Sequence, residues 1–186
     1  MKSDLSAAIR RFKPEKQTSQ LTTRPAAELI SADEYAQRTR VVVLPDTNVY
    51  INSFAGLLTP AAKHLMDNGL LFHSSVCLSE IAIGVGNSNP AHSNWNNTRS
   101  EYAGLVASIP GTRTIEPDEQ TWIEAGMIAG ILARTQGYQP HQRKECLNDA
   151  LIYLSAVKEG IPVLTSNRDE FDVIQQIARQ GMFVHY

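Results

Sequence analysis

Several acids in this 186-residue chain are set apart by what leads into them. Val41-Val42-Val43-Leu44-Pro45 drives a run of β-branched and apolar residues straight into Asp46, with Thr47 and Asn48 behind it. A short continuous apolar run marks a strand buried on both faces of a parallel sheet. Open α/β sheets do their chemistry just outside the carboxyl ends of such strands, although Asp46 equally suits an Asx-type turn that accepts backbone N–H groups. Ser75 to Gly84 carries Glu80 into the start of an apolar helix, and Asp149 falls within the apolar period of a helix over Glu145–Ala156. A charge in such a helix is almost never buried unless it is paired or bound to a metal. The strand expected at Gly160–Ser166 runs into Asn167-Arg168-Asp169-Glu170. Carboxylates gathered without matching cations repel one another. A hard divalent ion that takes oxygen ligands, Mg²⁺ above all, relieves that repulsion. The lack of a His/Cys cluster argues against zinc.

The elements that must position these acids alternate. Thr59-Pro60 supplies a cap and a first-turn proline for a helix that Gly69 closes, and Leu70 to His73 predicts a second strand. Asn87 to Asn97 has loop composition. Glu101 to Ile109 is expected to be helical, and Thr112 to Ile115 is a further strand. Trp122, Ala125, Ile128, Ala129, Leu132 and Ala133 sit at helical spacing, which predicts a long helix with these residues inward and Gly137 as its stop. Tyr138 to Lys144 reads as a basic loop, and the strand Met182 to His185 ends the chain. Strand–helix alternation implies a parallel sheet with right-handed crossovers, which would carry the acids to one side of it.

Residues 1–40 read as an extension of the main domain, 41–186. They hold Arg10, Arg11, Lys13, Lys16, Arg24, Arg38 and Arg40, and their apolar Leu5, Ile9, Phe12, Leu29, Ile30 and Tyr35 predict packing rather than a solvated tail. Ser3 to Phe12 can form a short helix. Ser31-Ala32-Asp33-Glu34 has capping-box spacing for another, over Ala32–Arg38. The net charge of -2 excludes a general attraction to polyanions, so any such contact must be local. No apolar run approaches the roughly 20 residues of a membrane span, and the amino terminus lacks the apolar segment of a signal peptide. The expectation is a soluble, cytoplasmic protein. Cys77 and Cys146 are too few and too far apart for a disulfide framework or zinc knuckle.

Asp46-Thr47-Asn48 after the first strand, Ser79-Glu80-Ile81 opening a helix, Asn148-Asp149-Ala150-Leu151-Ile152 in a late helix, and Thr165-Ser166-Asn167-Arg168-Asp169-Glu170-Phe171 after a late strand stand in order. On these four pieces the chain, from about Val41 to Tyr186, resembles the PIN-domain ribonucleases, most closely the VapC-like toxins of toxin–antitoxin pairs. The resemblance implies a three-layer α/β/α fold and a Mg²⁺- or Mn²⁺-dependent endonuclease acting on RNA. It also implies frequent homodimers and inhibition by a small antitoxin. Asp46, Glu80, Asp149 and Asp169 would hold the metal, with Glu170 the alternative fourth acid because Asn167 stands where many members carry an aspartate. Thr47, Asn48, Thr165 and Asn167 would orient the carboxylates. Arg143, Lys144 and Arg168 are candidates for phosphate contact, His141 reads as an ordinary loop residue, and Trp95 either stacks on an unpaired base or anchors its loop. A haloacid-dehalogenase-type phosphatase needs a second aspartate where Asn48 stands. The remaining alternative is a catalytically silent PIN-like module for RNA or protein, its site blocked by the extension or a permanent partner.

Overall fold

The computed structural model describes residues 3–186. Strand β1 (Val42–Pro45) lies inside a four-stranded sheet of order β2-β1-β5-β6, with β2 at Leu70–Leu71, β5 at Val163–Thr165 and β6 at Phe183–His185. Every pairing is parallel, with Val42 beside Leu70, Leu44 beside Val163 and Leu164 beside Val184. Successive strand residues point to opposite faces. Leu44, Val163 and Phe183 accordingly join one core with Ile128, Leu151 and Phe171, whereas Val43, Leu164 and Val184 join a second with Leu65 and Tyr35. Helices on both faces explain why the strands are apolar without interruption.

The crossovers are α3 (Thr47–Phe54), α4 (Pro60–Asn68), α5 (Ser75–Asn87), α6 (Trp95–Ser108), α7 (Glu119–Thr135), α8 (Pro140–Glu159) and α9 (Arg168–Ala178). Asp46 ends β1 and caps α3, its side chain accepting from Thr47 N. Thr59 caps α4, and Pro60 occupies the first helical position.

Three expectations change. Leu70 to His73 is not one strand: β2 pairs with β1, while β3 (His73–Ser74) turns away to pair with β4 (Thr114–Ile115) in a separate two-stranded sheet. Helix α8 begins at Pro140 rather than Glu145, because Gln139 and Gln142 form a reciprocal capping box around the proline. Trp122 is half exposed although Ala125, Ile128, Ala129 and Leu132 are buried as expected, because α7 also turns Thr121 and Glu124 inward.

The first forty residues lie on the domain. Helix α1 (Leu5–Phe12) packs on α7 and buries Ala8 and Phe12. Arg11 meets the buried Glu124 across this contact. Farther on, Arg24 holds Asp172, which has no exposure: its backbone N donates to Oδ2 at 2.7 Å and its Nε to Oδ1 at 2.6 Å. Ser31 caps the one-turn helix α2 (Ala32–Tyr35), shorter than expected, and Tyr35 donates to the Val42 carbonyl at 3.0 Å. Ser31 also bridges to His185 in parallel, and His185 N donates to Ile30 O at 3.0 Å, so the extension runs along the open edge of β6. Among the described residues, no helix is long and apolar enough to cross a membrane.

Candidate functional site

The carboxyl ends of β1 and β5 open into a cleft of about 530 Å³ whose lining includes Asp46, Glu80 and Asp149. Asp46 arrives at the end of β1, Glu80 from the second turn of α5, and Asp149 from the middle of α8. Asp46 and Asp149 are 2% and 8% exposed, so these acids stand almost outside water.

Their partners are neutral. Asp46 Oδ1 accepts from Thr47 N at 2.6 Å, and its Oδ2 accepts from Thr165 Oγ1 at 3.0 Å. Glu80 Oε1 accepts from Asn148 Nδ2 at 2.8 Å, while Thr47 Oγ1 donates to its other oxygen. Asp149 Oδ2 accepts from Asn167 Nδ2 at 3.2 Å, and Asn167 N donates to Thr165 Oγ1 at 2.8 Å. Among the described residues, no Lys or Arg forms an ion pair with any of the three acids. Burial therefore dominates the protonation of Asp46 and Asp149. It pushes the Asp46 carboxyl up to about 6, against the hydrogen bonds from Thr165 and Thr47, and the Glu80 charge adds to the rise. Asp149 is raised well above the usual carboxylate range by burial first, then by Asp46, Glu80 and Glu170.

Ligand atoms of Asp46, Cys77 and Glu80 lie within 4.8 Å of one another. The Cys77 thiol, however, donates to Pro45 O at 3.7 Å, and burial raises it far above its ordinary range. It stays protonated, which leaves an all-oxygen donor set of the kind hard divalent ions prefer.

The early start of α8 decides the cleft's charged wall. His141, Lys144, Glu145, Asn148 and Asp149 recur at helical spacing and all line the cleft. Arg143 falls on the other side of the helix, in a groove with Gly130, Arg134 and Leu147, and its Nε donates to Tyr138 O at 3.0 Å. Of the three cations proposed for phosphate contact, Lys144 alone lines the cleft. Arg168 pairs with Asp169 at 2.7 Å, and both face a separate cavity with Ser166 and His185. The expectation that Asp169 joins the other acids is therefore not met, because the first turn of α9 points it toward Arg168. Glu170 is half-buried and contributes to the upward shift of Asp149, so its charge is felt by the cluster although it does not line the cleft.

Thr47, Asn48 and Asn167 line the cleft, and Thr165 lies directly beneath Asp46. Asn148 went without a role in the sequence reading; its place beside Asp149, one turn below Lys144, was the available signal. His141 is a helix residue on the cleft wall rather than part of a loop. Trp95 opens α6 and lines a different cavity, with His92 and Thr98. Among the described residues of the extension, none lines the cleft.

No protein-family model matches the sequence, and no curated protein matches it. Solved structures do match. A chain of VapBC2 from Rickettsia felis, solved bound to a DNA fragment from its promoter, is 18% identical, with 78% of this chain and 99% of that chain covered and a TM-score of 0.55. DNA-bound VapBC from Salmonella typhimurium is 22% identical over 78% and 97%, with a TM-score of 0.54. FitAcB from Neisseria gonorrhoeae is 19% identical over 77% and 96%, with a TM-score of 0.55. Those matches, with the parallel sheet between helical layers, give the chain the PIN-like α/β/α fold of the VapC type.

Proposed function

We propose that the chain is a Mg²⁺- or Mn²⁺-dependent endoribonuclease, the toxin of a toxin–antitoxin pair. The observation that carries this reading is the set of three acids, Asp46 and Asp149 buried and Glu80 partly so, whose protein partners are all neutral donors. Among the described residues no Lys or Arg pairs with them to offset their mutual repulsion, and a divalent cation would.

Asp46, Glu80 and Asp149 would hold the ion. When bound, it activates a water for in-line attack on a phosphodiester and offsets charge on the phosphate. The chain's own part is orientation. Thr47 and Thr165 fix Asp46, Thr47 and Asn148 fix Glu80, and Asn167 fixes Asp149, each leaving carboxylate lone pairs for the metal. Asn48 stands exposed at the first turn of α3, on the cleft rim. Lys144 supplies a positive charge on the wall where substrate phosphate must pass.

The similar structures are VapBC and FitAB complexes, which supports a small antitoxin as the partner. Homodimer formation and a cytoplasmic location belong to the same reading. The test is incubation of the purified chain with a mixed RNA pool. Cutting in Mn²⁺ that stops in EDTA and is absent from Asp46→Asn is expected. Cutting in excess EDTA overturns the metal site, and a folded protein that binds RNA without cutting it is a silent module.

A further inference from the structure

The cleft lining is of two kinds. Beside the α8 residues His141, Lys144 and Glu145, the lining includes Ile51 from α3 and Ile83 and Gly84 from α5. Ile51 is 43% and Ile83 51% exposed, although both belong to helices with buried faces. Gly84 sits one turn beyond Glu80 on the same helix. A glycine there costs about 0.5–1 kcal/mol relative to alanine, and a Cβ added to it would meet nothing within 4 Å. No neighbour within the protein requires this glycine, which leaves a flat apolar shelf directly beside the acids.

We propose that Ile51, Ile83 and Gly84 form a platform for one unpaired nucleobase of the RNA, next to the phosphate held over the acids. The inference rests on the nuclease reading of the cleft and adds specificity-determining residues to it. A phosphodiester placed over Asp46, Glu80 and Asp149 has Lys144 on one side to meet its backbone charge. The adjoining base then meets the apolar part of the lining, Ile51, Ile83 and Gly84, with Asn48 one turn before Ile51 at its rim. Base faces are free only in single strands, since stacking covers them in a duplex. Apolar side chains bind the face and not the edge, so the platform tolerates sequence and favours the larger purine. Gly84 lets the ring lie against the helix backbone.

The experiment measures binding and cutting separately. Fluorescence anisotropy of a single-stranded oligoadenylate, an oligouridylate and an RNA duplex is recorded with wild type, Ile51→Ala, Ile83→Ala and Gly84→Leu, beside Mn²⁺ affinity and KM for cleavage. Phe54→Ala serves as control, because Phe54 is 43% exposed on α3 yet outside the cleft. The expected result is tighter binding of oligoadenylate than of oligouridylate or duplex, and a roughly fourfold or greater loss for each shelf variant, about what one buried CH₂ group contributes. Gly84→Leu loses most, Mn²⁺ affinity stays as in wild type, and Phe54→Ala changes nothing. Equal binding by wild type and shelf variants overturns the platform even if cleavage is normal, as does equal affinity for duplex. Shelf-dependent binding without any cleavage keeps the platform and removes the nuclease reading. A wild type that neither binds nor cuts RNA removes both. If the shelf variants bind RNA normally but lose a purified small protein partner, the surface is a protein interface and the platform is wrong.

Discussion

Asp172 and the pair Asp46 and Asp149 are similarly buried, yet they are solved in opposite ways. Asp172 takes a guanidinium, a backbone N–H and the Gln176 amide, so its charge is matched inside the protein. Asp46 and Asp149 together take one hydroxyl, one side-chain amide and one backbone N–H, with Glu80 beside them. A matched buried acid fastens one segment to another, here the extension to α9. An unmatched cluster is costly to the fold and is kept where something from outside completes it.

Removing a charge should therefore have contrary effects at the two places, and the largest is expected in the cleft. Asp46→Asn, Glu80→Gln or Asp149→Asn should each lower RNA cleavage by more than about a hundredfold, beyond what loss of an outer partner of a metal ligand costs. The same variants should melt at or above the wild-type temperature without metal, because repulsion is relieved. An active Asp149→Asn protein would place the chemistry elsewhere. At the matched acid, Arg24→Ala leaves Asp172 charged and uncovered, which should cost about 3 kcal/mol by urea unfolding. Cleavage by the folded fraction should not change. An unchanged unfolding midpoint would mean that the extension is not fastened at this point.

The pH dependence sharpens the contrast. Asp46 binds its proton in the folded chain up to about 6, above its ordinary value of 3.8. Between those values the folded state holds more protons than the unfolded one, so stability must fall as pH rises through that window. Asp149, shifted upward as well, extends the fall toward neutrality. Without metal the melting temperature should drop by roughly 5 °C from pH 5 to 7.5. Saturating Mg²⁺ or the Asp46→Asn change should flatten that slope. A metal-free wild-type profile that rises over this range contradicts the unmatched cluster.

How much of this was legible follows from the kind of signal each residue carried. Asp46, Glu80 and Asp149 converge because strand–helix alternation fixes where the ends of elements go, and apolar runs reveal that alternation without any contact being known. Lys144 and Arg143 could not be separated while α8 was read as starting at Glu145. Gln139, Pro140 and Gln142 held the missing signal, and five more helical residues send the two neighbours to opposite sides. Trp122 misled for a different reason. Its spacing matches the inward residues of α7, but that helix packs chiefly on α8, with α1 alongside it, where Arg11 engages Glu124. Asp169 follows the end of a strand in the sequence, as Asp46 does, but its local partner Arg168 draws it away.

The smallest expected effect lies on the walls. Lys144→Ala should raise KM a few-fold and reduce the slope of log affinity against log salt by about 1, as one lost phosphate contact does. Arg143→Ala, one residue away and outside the cleft, should change neither. Equal effects at both positions would mean that RNA crosses α8 rather than keeping to the cleft.

Isothermal titration of Mn²⁺ into the metal-free protein at pH 7.5 tests the central claim most directly. The account predicts a single site per chain, proton release on binding as the raised carboxyl of Asp149 ionises, and no measurable site in Asp46→Asn. Binding of Mn²⁺ by Asp46→Asn with wild-type affinity, or no binding by the wild type, would contradict it.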